Sequence, residues 1–214
     1  MWNTILFDLD GTLTDSQEGI INSIICALEH FGIQEERANL LEFVGPPLDE
    51  SFRLRYQFSE EQIAVGIETF REYFNRRGWL ENAPYPGAAE LLAELRGAGK
   101  RLLVATSKPE NMAVRVLEHF GLAQYFDRIC GAPLDNQEGA RKACVVRAAL
   151  RWAGVEDLSS AVMVGDRRHD IEGAREAGLQ AVGVLYGYGR REELEKAGAA
   201  YIAADMDELR NVLL

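Results

Sequence analysis

Two aspartates follow the first apolar stretch of the chain, in the sequence TILFDLDGT at residues 4–12. On an extended strand, side chains two residues apart point the same way, so Asp8 and Asp10 should project together from the carboxyl end of the strand. Gly11 would allow a sharp turn and a close approach of the backbone to a ligand, and Thr12 could offer a hydroxyl or an amide to an anion. A turn alone would also fit so short a pattern, but it would leave two neighbouring carboxylates without a positive partner.

A second acidic pair ends another apolar stretch, in VMVGDRRHD at residues 162–170. The four-residue spacing of Asp166 and Asp170, at the start of a helical pattern, directs both side chains toward one side. Four carboxylates at the tips of two strands repel one another unless a cation lies among them. Oxygen ligands of this kind suit Mg²⁺, which keeps several waters and shares its coordination shell with a substrate phosphate. The two acidic segments therefore predict a magnesium site beside a phosphate.

Two further segments contain residues that could contact the phosphate. The strand pattern RLLVATSKP ends in Thr106 and Ser107, just before a helix opened by proline, and helix N-termini attract anions. Lys142, one of only four lysines in the chain, lies near the start of a later helical pattern and could neutralise the nucleophile and the phosphate. Singly, such residues are more often structural or solvated, so the prediction depends on their combination.

The elements that must position these residues form a repeating pattern. Short apolar runs rich in β-branched residues alternate with helical patterns, which is typical of a parallel sheet covered on both faces. We therefore predict a doubly wound α/β core, in which ligands bind beyond the carboxyl ends of the strands. The predicted strands are Thr4–Phe7, Arg101–Ala105, Arg128–Cys130, Ala161–Val164, Ala181–Leu185 and a weaker Ala200–Ala203, and the predicted helices include Gly87–Arg96, Pro109–Phe120, Ala140–Trp152 and Asp170–Ala177.

One long segment interrupts this alternation, because residues 15–82 contain only helical patterns and no strand. Ser16 and Ser59 are capping-type residues at the starts of two long amphipathic patterns. The segment APYPG at residues 83–87 then returns the chain to the core through a turn. We predict two domains, an α/β core of residues 1–14 and 83–214 and an all-helical insert of residues 15–82.

Composition excludes several classes of function. A net charge of −11 and a pI near 4.8 argue against a nucleic-acid partner, which normally meets a basic surface. No apolar run approaches the roughly 20 residues of a membrane span. Cys26, Cys130 and Cys144 form no C-x-x-C pair, which favours small buried thiols in a reducing compartment. We expect a cytoplasmic protein, monomeric or homodimeric, that contacts neither nucleic acid nor membrane.

In this order and spacing, the segments resemble the haloacid dehalogenase (HAD) superfamily over nearly the whole chain. DLDGT resembles the first motif of that superfamily, VATSKP the second and GDRRHD the fourth, while Lys142 fits the third. The helical insert after the first motif resembles the small cap domain of the family. The resemblance implies a Rossmann-like core of the HAD type and phosphoryl transfer through an aspartyl-phosphate.

The resemblance also implies chemical roles for individual residues. Asp8 would be the nucleophile that attacks phosphorus. Asp10 would protonate the leaving oxygen and then deprotonate the water that hydrolyses the intermediate. Thr106 and Lys142 would neutralise the phosphoryl oxygens. Lys142 is followed by alanine where the family commonly has proline, and Arg141 is therefore the lesser candidate for its role.

For the metal and the substrate, the resemblance implies the remaining site residues. Mg²⁺ would be held by Asp8, Asp166 and the backbone carbonyl of Asp10, and Asp170 would hold a metal-bound water or Lys142. The residues predicted to bind substrate are Gly11, Thr12, Ser107 and Arg53.

The same resemblance narrows the branch of the family. Asp10 favours phosphoryl transfer over dehalogenation, and the insert contains no lysine, which excludes the phosphonate-cleaving branch. FVGPPLDESFR, with a predicted rigid turn at residues 45–47, resembles the cap loop of phosphoglycolate phosphatases. Arg53 could meet a substrate carboxylate or second phosphate there, or be a solvated helix residue. The glycine-rich YGYGR at residues 186–190 is interpreted as a loop at the rim of the site.

We therefore predict a Mg²⁺-dependent phosphatase that hydrolyses a small-molecule phosphate monoester and is phosphoglycolate phosphatase-like. The alternatives are a nucleotide 5′-phosphatase, a pyrophosphatase and a phosphomutase of the β-phosphoglucomutase type. A non-catalytic binding protein on the same fold is a further alternative, against which the complete set of motif residues argues.

Overall fold

The structure of the chain is a computed structural model that describes residues 2–44, 48–133, 139 and 141–214. The chain divides into two compact units. The core unit comprises Met1–Thr14 and Pro84–Leu214, and the helical unit comprises Asp15–Ala83. The helical unit covers nearly the same residues as the predicted insert.

The strands of the described residues fall into two sheets. Six of them form one parallel sheet in the order β5–β4–β1–β6–β7–β8, and β2 and β3 form a separate two-stranded sheet. In chain order they are β1 (Thr4–Phe7), β2 (Thr14–Asp15), β3 (Ala83–Pro84), β4 (Arg101–Pro109), β5 (Arg128–Ala132), β6 (Ala161–Gly165), β7 (Gln180–Val184) and β8 (Tyr201–Ala203).

The α-helices of the described residues are divided between the two units. Those of the helical unit are α1 (Gln17–His30), α2 (Leu48–Tyr56) and α3 (Glu60–Arg76), and those of the core unit are α4 (Ala88–Gly97), α5 (Glu110–His119), α6 (Lys142–Ala153), α7 (Arg168–Glu176), α8 (Arg191–Ala197) and α9 (Met206–Leu213). Short 3₁₀ turns occupy Arg37–Phe43, Gly78–Leu80, Ala123–Tyr125 and Leu158–Ser160.

The apolar character of the central strands follows from their burial on both faces. Every residue of β1 and of β6 is buried, although successive side chains point to opposite faces of the sheet. A strand covered on both sides must be apolar throughout, which is the pattern that the sequence shows. The parallel sheet confirms the predicted α/β fold.

The structure corrects some predicted boundaries. β4 continues to Pro109, beyond the predicted end at Ala105, and its register with β5 shifts between these two residues. Asp15 belongs to β2, although the sequence indicated no strand in the insert. The predicted rim loop at residues 186–190 follows β7.

The helical unit has its own apolar core. α1 packs against α3, and a cluster of aromatic rings lies beside them. Ser59 caps α3 through a capping box with Gln62, whereas the Ser16 hydroxyl accepts no capping hydrogen bond at the start of α1. The cluster comprises Phe31, Phe43, Phe52, Tyr56 and Phe58.

The structure bears to different extents on the predicted turn and helix start, on the burial of the cysteines and on a membrane span. The turn predicted at residues 45–47, and the predicted helix start at Ala140, lie outside the described residues. All three cysteines are free, but only Cys130 is fully buried, while Cys26 and Cys144 are partly exposed. None of the helices in the described part of the chain has the length and apolar character that a membrane crossing requires.

Candidate active site

The sheet topology brings the predicted site residues of the core unit together. β1 lies between β4 and β6 and runs parallel to both, so the carboxyl ends of these three strands are adjacent. Asp8 directly follows β1, and its amide donates a hydrogen bond to Val164 O at 2.9 Å. Asp166 directly follows β6, and Thr106 lies in the last part of β4. Residues from distant parts of the chain therefore meet at one edge of the sheet.

Lys142 is the central cation of this edge. Its Nζ lies 2.7 Å from Asp8 Oδ1 and 2.8 Å from Asp170 Oδ1, and it donates to Ala105 O at 3.0 Å. An ammonium group has three donors, so these partners satisfy it. Burial lowers the pKa of Lys142, but the charges of Asp170 and Asp8 outweigh burial and hold the pKa above its usual value. Lys142 is therefore a fixed positive charge.

Arg141, the lesser candidate for the same role, points elsewhere. Its Nη2 lies 3.2 Å from Glu176 Oε2, and its side chain is 65% exposed. Of the two neighbours, only Lys142 contacts Asp8 in this structure. The alanine that replaces the family proline does not prevent that contact.

Three carboxylates surround a position that suits a cation. Asp8, Asp166 and Asp170 are buried, and each offers an oxygen within 4.8 Å of the others. Burial raises the pKa of Asp8 to about 6, with Lys142 opposing and Asp170 adding to the shift. Burial, and then the charges of Asp170 and Asp8, raise the pKa of Asp166 well above its usual value. This set of anions is destabilised without more positive charge, and a divalent cation on these oxygen donors would supply it.

Asp170 uses both of its oxygens within the protein. Besides the ion pair of Oδ1 with Lys142, its Oδ2 accepts a hydrogen bond from the Arg167 amide at 3.0 Å, at the start of α7. Gly165 makes room for this carboxylate, because a Cβ there would overlap it. The geometry suits the supporting role that the sequence predicted, in which Asp170 holds Lys142.

Asp10 has a partner that the sequence reasoning missed. Lys108 Nζ lies 2.8 Å from Asp10 Oδ2, and the lysine side chain is only 7% exposed. Asp10 Oδ1 is also buried, and it has no hydrogen-bond partner among the described residues. Lys108 belongs to the second motif, and its place two residues after Thr106 was the available indication that it shares the site. The sequence gives no direct sign that it pairs with Asp10.

The glycine-threonine turn after Asp10 supports Asp166. Gly11 has a φ of 85°, and a Cβ at this position would overlap the carboxylate of Asp166. The Thr12 hydroxyl is fully buried and lies 3.4 Å from Asp166 Oδ1, and the Thr12 amide donates to Leu9 O at 3.3 Å. In this structure both residues support Asp166. Direct contacts of Gly11 and Thr12 with a phosphate therefore stay predictions.

Thr106 and Ser107 differ in their surroundings. Thr106 is 1% exposed, and its Oγ1 accepts a hydrogen bond from the Lys108 amide at 3.2 Å. Ser107 is exposed. Both follow Ala105, in the part of β4 where the register with β5 shifts.

The loop at residues 186–190 packs on Asp166, which the sequence reasoning did not foresee. The Tyr188 amide donates to Asp166 Oδ2 at 2.8 Å, and the Tyr186 hydroxyl donates to Thr12 O at 3.1 Å. A Cβ on Gly187 would lie 2.5 Å from the Cβ of Asp166, and one on Gly189 would overlap the Asp166 carbonyl. The two glycines therefore permit the loop to fix the Asp166 carboxylate.

Arg53 lies in α2 of the helical unit and makes ion pairs within that unit. Its Nη2 lies 2.9 Å from Glu60 Oε1, and its Nη1 lies 3.9 Å from Asp49 Oδ2. The hydrogen bonds to Glu60, followed by its charge, raise the pKa of Arg53. A contact between Arg53 and substrate stays a prediction, and it would have to compete with Glu60.

Relatives whose names state different activities resemble this chain along most of its length. It is 41% identical to "Tyrosine-protein kinase PtkA" of Mycobacterium tuberculosis, over 98% of this chain and 72% of that protein. It is 40% identical to "5'-nucleotidase" of Pseudomonas aeruginosa, over 98% and 94% of the two chains. It is 30% identical to "Phosphoglycolate phosphatase" of Vibrio parahaemolyticus, over 98% and 95%.

A solved structure and a family model agree with these relatives. The crystal structure of a predicted phosphatase from Clostridium acetobutylicum superposes with a TM-score of 0.94 at 45% identity, covering 100% of this chain and 98% of that one. The family model described as haloacid dehalogenase-like hydrolase matches residues 5–184, which include all of the motif residues described above. The chain belongs to the haloacid dehalogenase-like hydrolases.

Proposed function

We propose that this protein is a Mg²⁺-dependent phosphatase that hydrolyses small-molecule phosphate monoesters through a phosphorylated Asp8. The observation that carries the proposal is the contact of Lys142 with both Asp8 and Asp170, next to Asp166. In this arrangement a buried carboxylate stands beside a fixed cation at the ligand-binding edge of the sheet. Family membership and the phosphatase names among the relatives support the proposal.

The first step would be attack of Asp8 on phosphorus. Lys142 holds Oδ1 of Asp8 at 2.7 Å, so this carboxylate has a fixed orientation and Oδ2 remains for the new bond. As the O–P bond of Asp8 forms, the ester O–P bond breaks, and Asp10 gives its proton to the departing oxygen. The products of this step are the free alcohol and the aspartyl-phosphate.

The second step would release phosphate and restore Asp8. Asp10, now ionised, takes a proton from a water molecule that attacks the phosphorus. The bond between Asp8 and phosphorus breaks, and inorganic phosphate leaves. Lys142 and Thr106 would stabilise the phosphoryl oxygens in both steps, because their positive charge and hydroxyl lie at the same edge of the sheet.

The carboxylates fit a magnesium ion by charge and by donor type. The residues that would hold it are Asp8, Asp166 and the backbone carbonyl of Asp10, while Asp170 would support Lys142. When bound, the ion would offset the repulsion between the anionic nucleophile and the anionic phosphate.

The substrate is proposed as a class. The fold and motifs determine the reaction, whereas the leaving group is selected elsewhere in the protein. Phosphoglycolate remains the substrate that the cap-loop resemblance favours, and nucleoside monophosphates gain support from the 40% identity with a 5′-nucleotidase. Pyrophosphate is a third possibility. We expect a cytoplasmic enzyme, monomeric or homodimeric, with no nucleic-acid or membrane partner.

If the phosphoryl group of Asp8 passed to an acceptor other than water, the protein would not be a phosphatase, and two such acceptors are considered. A phosphomutase would return the phosphoryl group to a second hydroxyl of a sugar phosphate, and a trapped bisphosphate would reveal it. A protein tyrosine is the other candidate acceptor, because one relative is named a tyrosine-protein kinase at 41% identity. Transfer of phosphate from ATP to a tyrosine-containing peptide would replace the hydrolase proposal.

The test is phosphate release from a panel of esters. Phosphoglycolate, nucleoside monophosphates, sugar phosphates, pyrophosphate and p-nitrophenyl phosphate would be assayed with Mg²⁺ and with EDTA, and the Asp8→Asn variant would serve as the blank. We expect turnover that requires the metal and disappears in Asp8→Asn, and the best substrate identifies the branch. No phosphate release by the folded wild-type protein with Mg²⁺ would contradict the proposal.

A further inference from the structure

Lys108 is a buried cation that takes no part in the two proposed steps. Its side chain is 7% exposed, and its ammonium group lies 2.8 Å from Asp10 Oδ2. A buried ammonium group is costly unless it is paired, so this ion pair is a fixed part of the site. The phosphoryl oxygens and the nucleophile already have Lys142. Lys108 is therefore placed to act on Asp10.

The two oxygens of Asp10 have different surroundings. Oδ2 faces Lys108, whereas Oδ1 is buried and has no hydrogen-bond partner among the described residues. Lys108 has three donors and no acceptor, so it cannot receive the proton of a carboxylic acid. With Oδ2 against the ammonium group, a proton on Asp10 is directed to Oδ1.

The backbone also ties Lys108 to the phosphate-binding segment. Its amide donates to Thr106 Oγ1 at 3.2 Å, within the stretch between Ala105 and Pro109 where the register of β4 with β5 shifts. One short segment thus carries a hydroxyl proposed for the phosphate and the ammonium group that orients the acid. The ion pair of Lys108 therefore connects Asp10 to the segment that contains Thr106.

We propose that Lys108 is a positioning residue for proton transfer, which holds Oδ2 of Asp10 so that Oδ1 is the oxygen that exchanges a proton with the ester oxygen and then with water. The inference rests on the proposed phosphatase function. In the first step the proton moves from Asp10 Oδ1 to the departing oxygen as the ester O–P bond breaks. In the second step Oδ1 receives a proton from the attacking water as phosphate leaves.

The experiment compares two leaving groups in the holoenzyme with Mg²⁺. An alkyl phosphate, the best one from the panel above, needs a proton as its alkoxide departs, whereas p-nitrophenolate departs without one. In Lys108→Met we expect kcat/KM for the alkyl ester to fall about 10- to 100-fold, part of the 10²–10⁴ that proton transfer contributes. The same variant should still release a rapid burst of p-nitrophenolate, followed by slow turnover because water attack also needs Asp10.

A matched control is available in Lys100→Met. Lys100 is also buried, and its Nζ donates to Trp2 O at 2.7 Å, but it precedes β4 at the end opposite to Lys108. We expect this variant to lose thermal stability. The ratio of its rates with the alkyl ester and with p-nitrophenyl phosphate should stay that of wild type. Lys108→Arg keeps the cation and should recover part of the alkyl-ester rate, and it carries the test if Lys108→Met does not fold.

The outcomes separate this inference from the function on which it rests. If wild type releases phosphate but Lys108→Met slows both esters by the same factor without a burst, Lys108 is only structural and the inference is wrong. Equal losses in Lys108→Arg and Lys108→Met would also contradict it. If wild type turns over neither ester, the proposed function fails, and this inference fails with it.

Discussion

The core unit and the helical unit both pair charged side chains, but they do so in different surroundings. Lys142 in the core is 6% exposed at its side chain and contacts two buried aspartates. Arg53 in the helical unit is 46% exposed and contacts Glu60, which is 77% exposed. Water screens the second pair and not the first. Burial therefore makes the charged residues of the core depend on one another. Substituting the exposed charged residues around Arg53 should change stability little.

The two sets of ion pairs should therefore respond differently to substitution. Asp8, Asp166 and Lys142 depend on one another for their charge states and positions, so any change among them should affect both stability and chemistry. Arg53 makes only exposed ion pairs with Asp49 and Glu60, so replacing it should change stability little.

Replacing Lys142 with methionine should cause the largest loss. The substitution leaves Asp8 and Asp170 buried without their common cation, and removing one partner of a buried ion pair costs about 3–5 kcal/mol in unfolding free energy. It should also lower kcat about 10²–10³-fold, the usual effect of losing one group that stabilises the transition state. Urea denaturation and steady-state kinetics measure the two effects. A variant of wild-type stability would show that the site aspartates do not need Lys142.

Magnesium should stabilise the folded protein through Asp166. At 100 times its dissociation constant, a bound ligand adds about 2.7 kcal/mol, which raises the melting temperature by about 5–10 °C in a chain of this size. In Asp166→Asn the rise should be much smaller, because one of the proposed ligands is lost. Melting curves with Mg²⁺ and with EDTA provide the measurement. An equal rise in wild type and Asp166→Asn would place the metal elsewhere.

Replacing Gly187 with alanine should weaken the metal site without replacing any of the proposed ligand residues. The added Cβ would lie 2.5 Å from that of Asp166 and would displace the carboxylate or the loop. Groups that orient metal ligands are usually worth 10–100-fold in affinity, and a loss in that range is expected in a Mn²⁺ titration followed by electron paramagnetic resonance.

The matched control for this experiment is Gly97→Ala. Apart from its chain neighbours and the backbone of its own helix, Gly97 has no atom within 4 Å of an added Cβ, so this variant should bind the metal as wild type does. If Gly187→Ala binds Mn²⁺ with wild-type affinity, the loop at residues 186–190 does not position Asp166.

Replacing Arg53 with methionine should have the smallest effect on stability. Its ion pairs are exposed, and exposed pairs contribute little because water already solvates both charges. We expect an unchanged melting temperature. A fall in kcat/KM confined to substrates with a second anionic group would support a contact with substrate. An equal effect on all esters, or none, would remove Arg53 from the predicted binding residues.

Much of the core could be predicted from the sequence because its signals are local. Apolar runs identified the central strands, and polar residues at their ends identified Asp8 and Asp166, since parallel strands place their carboxyl ends at one edge. Lys142 was a weak candidate from its place near the start of a helical pattern and gained support from the family resemblance, and the structure brings it to Asp8. Its contact with Asp8 joins residues 134 positions apart, a separation that no periodicity in the chain encodes.

The contacts that the sequence did not reveal have a common physical reason. The Tyr188 amide binds Asp166 through the backbone, and a backbone donor has no residue signature. Lys108 reaches Asp10 from the part of β4 whose register shifts, and a bulge is set by tertiary packing rather than by local pattern. Side chains that serve their own protein, such as Thr12 on Asp166, look the same in sequence as side chains that await a ligand.

The proposed mechanism depends on transfer of the phosphoryl group to Asp8. The most direct measurement is acid quenching of the enzyme during turnover, followed by mass spectrometry of the peptide that contains residues 4–12. We expect the mass of one phosphoryl group on Asp8 in wild type, removed by hydroxylamine as an acyl phosphate, and none in Asp8→Asn. Turnover with no adduct, or with the phosphoryl group on another residue, would contradict the account.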